Sequence, residues 1–119
     1  MKLNRQQAME IWRRALSDTV RDSTPDLTAR QMALLLTVYT GAPPHTVRGL
    51  SGELKMSKPA VTRALDTLGR MDLLKRKRDE ADKRSVLIQR TVKGSVFLSE
   101  FADSIVNAAK AGAKAPTDK

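Results

Sequence analysis

Residues 46–71 constrain the fold of this chain more than any other stretch, because they predict two helices joined by a turn of about two residues. Thr46 is a suitable N-cap for a first helix that extends to about Lys55. Ser57 is a suitable N-cap for a second helix, since its hydroxyl can accept a hydrogen bond from an amide of the first turn. Pro59 fits that first turn, where its nitrogen loses no intrahelical hydrogen bond. The stretch therefore predicts a helical hairpin.

The second helix of this hairpin has an apolar face and a polar face. The apolar face is formed by four residues at helical spacing, Val61, Ala64, Leu65 and Leu68. The opposite face carries Pro59, Thr62, Arg63, Asp66 and Arg70. A helix with a packed back and a front of hydroxyls and arginines suits insertion into a DNA major groove. Any helical hairpin exposes a polar face, however, so a purely structural role stays open on these residues alone.

Two short strands are predicted after the hairpin, Leu73 to Arg78 and Lys83 to Arg90, around a turn at 79–82. Val86 and Ile88 lie on one face of the second strand, and we expect both to pack on the helices. This strand pair is rich in Lys and Arg. The second helix is therefore followed directly by a basic β-hairpin.

The stretch DKRSVLIQRTVKG, Asp82 to Gly94, resembles the wing of the MarR family of winged helix-turn-helix repressors. In that family an Asp-x-Arg motif precedes an alternating apolar strand, and Thr-x-x-Gly opens the next helix. The matching residues here are Asp82, Arg84, Val86, Ile88, Thr91 and Gly94. The resemblance covers about residues 27–97 and departs at Arg90, where the family usually has leucine. It implies a mainly α fold with a small β wing, in which a winged helix-turn-helix domain is flanked by N- and C-terminal helices.

The positive charge of the chain is concentrated in the hairpin and the wing. The formal net charge is +9, and residues 46–94 hold 13 Lys and Arg against 6 Asp and Glu. The flanking segments are closer to balance, with 6 against 4 in residues 1–45 and 3 against 3 in residues 95–119. Clustered positive charge is typical of proteins that bind a phosphate backbone. We therefore expect double-stranded DNA as the partner.

In this interpretation the second helix is a recognition helix. It would present Ser57, Lys58, Pro59, Thr62, Arg63 and Asp66 to the major groove. Arg63 is the best candidate for bidentate readout of a guanine, and Lys58 is better placed for a phosphate. Asp66 would orient Arg63 or Arg70, or accept a hydrogen bond from a cytosine amine. The wing would contribute Arg76, Arg78, Lys83 and Arg84, and the resemblance implies that Asp82 and Arg84 brace the wing or contact DNA.

Helices are also predicted at both ends of the chain. The first spans about 4–20, and the last begins after the cap Thr91 and extends to about Ala109. The expected domains are a dimerisation helix in 1–22, the winged domain in 27–90, a second dimerisation helix in 91–109 and a disordered tail in 110–119. The residues expected to form a homodimer are Ile11, Trp12, Phe97, Phe101 and Ile105. The stripe on the first helix would equally suit a helix that only covers the core.

Composition narrows the class of protein further. One histidine and no cysteine leave no common catalytic triad, thiolate metal site or disulfide, so we expect no enzyme, no metal and no cofactor. His45 could sense pH, but a surface role is the more common one for a single loop histidine. No segment resembles a membrane span or a signal peptide, which predicts a cytoplasmic protein. Relatives bind small aromatic effectors, but an aromatic content of 3% and a short C-terminal region argue against such a pocket here.

The leading hypothesis is a sequence-specific transcriptional regulator that binds a palindromic DNA site as a homodimer. Two alternatives remain open. A winged-helix protein that serves as a protein-interaction adaptor would have a neutral or acidic recognition face, whereas this one is basic. A nucleoid-associated protein that ignores sequence would contact phosphates without reading bases, and Thr62 with Arg63 argues against it.

Overall fold

The computed structural model describes residues 2–22 and 25–114, which form five helices and three short strands. The helices are α1 (Arg5–Arg21), α2 (Ala29–Thr40), α3 (Val47–Leu54), α4 (Lys58–Arg70) and α5 (Val92–Lys114). The strands are β1 (His45–Thr46), β2 (Leu74–Arg78) and β3 (Val86–Arg90). The predicted fold class, mainly α with a small β wing, is confirmed.

The chain divides into two compact units, of which the larger is Leu27–Phe97. Its core is aliphatic and is built from α2, the α3–α4 hairpin and the first residues of the wing. The side chains with at most 1% exposure in this unit are Leu34, Leu35, Val38, Leu50, Val61, Leu65, Leu68 and Leu73. The burial of these side chains supplies the main driving force for folding of the unit, at about 1.5–3 kcal/mol for each large side chain.

Local capping fixes where the helices of this unit begin. Thr28 and Gln31 form the predicted capping box at α2, with hydrogen bonds of 2.9 and 3.1 Å in the two directions. Thr46 accepts from the amide of Gly49 at the start of α3, and Ser57 accepts from the amide of Ala60 at the start of α4. These predictions are confirmed. The caps were predictable because each one depends only on residues three positions apart.

The three strands form one antiparallel sheet in the order β1-β3-β2. The sequence does not predict β1, because its two residues follow a pair of prolines and show no alternating pattern. His45 pairs with Ile88 and Thr46 with Leu87, so β1 extends the wing hairpin at the edge nearest α3. Ile88 is buried as predicted, but Val86 is 39% exposed and does not pack on the helices. The two side chains share a face, but Val86 pairs with exposed Arg78 at the turn end of the hairpin, further from the helices.

A tyrosine hydroxyl joins three elements of the larger unit. Tyr39, in the last turn of α2, donates to the carbonyl oxygen of Leu73 at 2.8 Å and accepts from the amide of Thr91 at 2.9 Å. Gly94, in the first turn of α5, lies directly against that hydroxyl, and Thr91 caps α5 by accepting from the amide of Gly94 at 2.9 Å. The entry to the wing and the start of α5 are thereby held at the end of α2.

Arg90 reinforces the same region. Its Nε donates to the carbonyl oxygen of Val38 at 3.1 Å, and its Nη2 donates to that of Gly41 at 3.2 Å. Its guanidinium lies 5.6 Å from the centre of the Tyr39 ring. The departure from the usual leucine therefore gives α2 a cationic partner at its C-terminus, where the last carbonyl groups need hydrogen-bond donors.

The smaller unit contains α1 and the part of α5 from Leu98 onward. The rings of Trp12 and Phe101 meet edge to face, with centroids 5.9 Å apart. Asn4 caps α1 through a capping box with Gln7, which places the start of the helix one residue later than predicted. Hydrogen bonds from Arg13 and Arg14 lower the pKa of Glu10 to about 2.

The C-terminal helix is longer than predicted. It continues to Lys114, whereas the sequence pattern predicts an end near Ala109 and a disordered segment over 110–119. That prediction is wrong for residues 110–114, since alanine and lysine are good helix formers and a polar composition alone does not end a helix. Residues 115–119 lie outside the described part of the chain.

Candidate nucleic-acid interface

The turn between α3 and α4 determines how the second helix is presented. The C-cap of α3 is Lys55, which adopts a left-handed conformation with φ 53° and ψ 44° and reverses the chain within a few residues. Val61, Ala64, Leu65 and Leu68 then bury one face of α4, as the sequence predicted. The opposite face of α4 is consequently turned away from the core.

This outward face contains the predicted recognition residues. Ser57, Lys58, Pro59, Thr62 and Arg63 are all exposed, and Asp66 is half-buried. The side-chain oxygen of Ser57 caps the helix by accepting a hydrogen bond from the amide of Ala60. Within residues 2–22 and 25–114, Lys58 and Arg63 form no ion pair. Both are therefore free to bind an external acceptor.

Asp66 pairs with neither Arg63 nor Arg70. Its Oδ1 instead accepts from Nη2 of Arg76 on β2 at 2.7 Å, a partner ten residues away. Arg70 donates to the hydroxyl of Thr67. The predicted pairing along α4 is therefore wrong, because β2 lies beside the helix and brings a better-placed guanidinium. Both side chains of the Asp66–Arg76 pair are more than a third exposed, so we expect at most about 1 kcal/mol of stability from it.

The wing turn is organised by Asp82. Its Oδ1 accepts from the amide of Arg84 at 3.1 Å, and its Oδ2 accepts from the hydroxyl of Ser85 at 3.3 Å. The side chain of Arg84 is 96% exposed and lies 3.8 Å from Asp82 at its closest. These hydrogen bonds of Asp82 hold the wing turn together, and the Arg84 side chain extends into solvent. Arg78 and Lys83 are exposed as well.

A second basic surface lies on the other flank of α4, and sequence reasoning missed it. A cleft of about 470 Å³ runs between the first turn of α2 and the α3–α4 turn. Arg30, Lys55 and Arg63 line it. No local pattern singles out Arg30, because the cleft exists only once α2 and the hairpin have packed.

The residues predicted for dimerisation differ in how much surface they present. Trp12 is 50% exposed, and Ile11 and Ile105 are partly exposed. Phe97 and Phe101 are only 8% and 7% exposed within the single chain. The contact of Phe97 and Phe101 with a second subunit stays a prediction, and the exposed apolar surface of α1 and α5 consists of Trp12 and other residues.

The described residues offer neither a metal site nor a membrane span. Within residues 2–22 and 25–114, no three His, Cys, Asp or Glu side chains converge in a way that could hold a metal ion. None of the helices in those ranges is both long enough and apolar enough to cross a membrane.

A helical hairpin with an outward basic face, followed by a basic β-hairpin that forms a three-stranded sheet with β1, defines the winged helix-turn-helix class. Residues 27–86 match the MarR family model, which spans half of the chain. The protein therefore belongs to the MarR family and is a transcriptional regulator of that family.

Solved structures share this fold. S. aureus MepR in its DNA complex superposes with a TM-score of 0.72 at 22% identity, covering 87% of this chain and 82% of MepR. A variant of E. coli MarR complexed with operator DNA gives a TM-score of 0.68 at 22% identity, covering 90% of this chain and 74% of MarR. A transcriptional regulator from Thermotoga maritima gives 0.67 at 24% identity, covering 89% of this chain and 69% of the regulator. No curated protein sequence gives a significant match.

Proposed function

We propose that this protein binds double-stranded DNA sequence-specifically and regulates transcription from that site in the cytoplasm. The observation that carries the proposal is the exposed face of α4, where Thr62 is exposed and Arg63 forms no ion pair within the described residues, on a helix that a basic wing follows. The similarity to MepR and MarR, whose structures contain DNA, supports the same partner.

The two basic elements would play different parts. Arg63 can donate two hydrogen bonds to a guanine, which distinguishes one base pair from the others in the major groove. Arg76, Arg78, Lys83 and Arg84 are suited to phosphates and to the minor groove, where contacts position the protein and carry little sequence information. Asp82 would shape the wing turn, and Asp66 would hold Arg76 at the edge of α4.

We expect Arg63→Ala and Arg76→Ala to weaken binding in different ways. Arg63→Ala should cost about 1–3 kcal/mol on the best site and flatten the preference among sequences. Arg76→Ala should weaken all sequences to a similar extent and reduce the log-log salt slope by about one. Fluorescence anisotropy with a selected duplex and a shuffled duplex of the same length measures both effects.

Arg76→Ala serves as the matched control, since each variant removes one guanidinium from the proposed interface. Equal losses on the selected and the shuffled duplex for both variants would contradict the assignment of base readout to Arg63.

We also propose a homodimer formed through the terminal helices. The support comes from apolar side chains that a single chain leaves uncovered. On α1 they recur at helical spacing: Met9 at 73%, Trp12 at 50%, Leu16 at 42% and Val20 at 77% exposure. On α5, Val96 and Val106 are 51% and 49% exposed. Apolar stripes of this kind are usually covered by a partner, and a twofold dimer would present two recognition helices to a palindromic site.

The dimer is tested by placing charge on the most exposed members of the stripe. Met9→Glu with Val20→Glu should yield a folded monomer, because neither side chain contributes to the core. Sedimentation velocity at micromolar concentration should then show dimers for the natural sequence and monomers for the double variant, with unchanged helical circular dichroism. A natural sequence that sediments as a monomer would contradict this proposal and leave the assignments on α4 and the wing intact.

A further inference from the structure

The cleft between α2 and the α3–α4 turn differs in charge from two other grooves among the described residues. It is lined by three cationic side chains, Arg30, Lys55 and Arg63, and by no acidic one. The groove between α4 and β2 contains Asp66 and Asp72, and the groove along α1 contains Asp18. The α2 cleft is thus electrostatically suited to a small anionic group.

Its cations also lack partners among the residues that the structure describes. Within the described ranges 2–22 and 25–114, Arg30, Lys55 and Arg63 form neither an ion pair nor a side-chain hydrogen bond. Arg76 on the wing side is held by Asp66, and the arginines of α1 that form ion pairs are held by acids of the same helix. Three like charges facing one cleft repel each other, so an anion bound there relieves a repulsion that folding leaves in place.

The backbone at Lys55 gives a further indication. Lysine rarely adopts the left-handed conformation that this residue has, at φ 53° and ψ 44°, and glycine would adopt it without steric cost. Strained non-glycine residues of this kind cluster at functional sites. The charge of Lys55 is therefore placed at the cleft despite a conformational cost.

Two clefts flank α4 on opposite sides of its outward face. Asp66, Gly69 and Arg70 line the flank that faces β2, whereas Ala60 and Arg63 line the flank that faces α2. A helix inserted in a major groove about 12 Å wide lies between the two phosphate backbones. In helix-turn-helix proteins the helix preceding the recognition helix crosses one of those backbones. The flank of α4 toward α2 would thus face one strand, and the flank toward the wing the other.

We infer that Arg30 and Lys55, in the cleft that they line together with Arg63, hold a phosphodiester of the DNA strand opposite to the one that the wing contacts. The inference rests on the proposed DNA binding and adds a second clamp to it. Arg30 and Lys55 are positioning residues in this scheme, because phosphates carry no base identity. The protein would then hold the two walls of the major groove with separate basic surfaces.

Two variants with different effects on folding test the clamp. Arg30→Ala should weaken binding to the selected and shuffled duplexes alike, by about fivefold to tenfold at 0.1 M salt, and reduce the salt slope by about one. Lys55→Gly should weaken binding in the same way while leaving the thermal midpoint at or above that of the natural sequence, since glycine suits the left-handed position. Arg5→Ala, which removes one exposed charge from α1, is the control and should leave binding nearly unchanged.

Neutral phosphates identify the strand. A set of duplexes carries single methylphosphonate substitutions at each position of the selected site. For the natural protein, sensitive positions should fall on both strands. For Arg30→Ala, methylphosphonate at one or two positions of one strand should no longer weaken binding. For Arg76→Ala, the positions that no longer matter should lie on the other strand. Loss at the same positions for both variants would overturn the two-strand arrangement.

The remaining outcomes separate this inference from the proposed function. In one outcome, Arg63→Ala and Arg76→Ala lose DNA affinity, whereas Arg30→Ala and Lys55→Gly bind DNA as well as the control Arg5→Ala does. The clamp is then wrong, and the proposed DNA binding stands. If the natural protein binds no duplex, both fail. A titration with inorganic phosphate, followed by NMR, tests whether the cleft binds a free phosphate ion instead of a DNA phosphodiester. Saturable phosphate binding that Arg30→Ala abolishes without weakening DNA binding would assign the cleft to a free anion and overturn the inference.

Discussion

Gly94→Ala is expected to lower the free energy of unfolding by about 3–5 kcal/mol. This is a large fraction of the total, since the free energy of unfolding of a typical domain is about 5–15 kcal/mol. A β-carbon at this position would overlap the Tyr39 hydroxyl and the carbonyl oxygen of Leu73, and it would lie 2.8 Å from the Tyr39 Cζ. The carbonyl belongs to the backbone at the entry to the wing and cannot rotate away. The tyrosine would have to move, and its hydrogen bonds to Leu73 and Thr91 would be lost.

Gly52→Ala is the matched control, because Gly52 is also helical and a β-carbon added there would meet no atom within 4 Å. It should stabilise the protein by about 0.5–1 kcal/mol, the usual gain from replacing a helical glycine by alanine. Urea unfolding followed by circular dichroism measures both variants. Similar midpoints for Gly94→Ala and Gly52→Ala would show that Tyr39 does not pack against Gly94 as described.

A double-mutant cycle assigns the cost to the hydroxyl. Tyr39→Phe alone should cost about 1–3 kcal/mol, since it leaves the amide of Thr91 without its acceptor. In the Tyr39→Phe background, Gly94→Ala should cost less than it does alone, because one of the two overlapping oxygens has been removed. Additive effects would contradict a direct contact between the two residues.

DNA affinity is expected to fall about a thousandfold between 50 and 200 mM salt, because about six phosphate contacts give a log-log slope near −5. In the proposed interface, the 13 Lys and Arg between residues 46 and 94 would supply most of these contacts, from the wing, from the start of α4 and from the cleft beside α2. Ions condensed on the duplex are released when cations replace them, which makes the slope a count of contacts.

The measurement is a series of anisotropy titrations of one duplex from about 50 to 200 mM salt at constant pH. Arg76→Ala and Arg5→Ala provide the comparison, since the first removes a charge beside α4 and the second removes one from α1. A slope between about 0 and −1 for the natural protein would contradict an interface built on phosphate contacts.

The helices and their caps were predictable from the sequence because they depend on neighbouring residues. Ser57 reaches an amide three residues ahead, and the apolar positions of α4 recur every three or four residues. The exposed face of α4 follows from that periodicity, since burying one side of a helix turns the other outward. The order of helix, wing and next helix was likewise readable from the stretch that resembles the MarR wing.

Contacts between residues distant in the chain were not predictable in the same way. Tyr39 and Thr91 are 52 positions apart, and nothing local indicates that they meet. The pairing of Arg76 with Asp66 arises only when β2 lies beside α4. The cleft containing Arg30 has the same origin. Local periodicity thus predicts the faces of the helices, and tertiary packing determines which charges on those faces remain unpaired.

Selection of bound duplexes from a random-sequence pool by the purified full chain tests the central claim most directly. Sequence-specific binding predicts one enriched motif, arranged as an inverted repeat with half-sites about one helical turn apart, roughly 10–10.5 base pairs from centre to centre. Arg63→Ala should lose enrichment at one base pair in each half-site. Recovery of duplexes without any enriched motif would indicate a protein that binds DNA regardless of sequence, and no recovery at all would favour a protein-interaction role; either result would contradict sequence-specific regulation through α4.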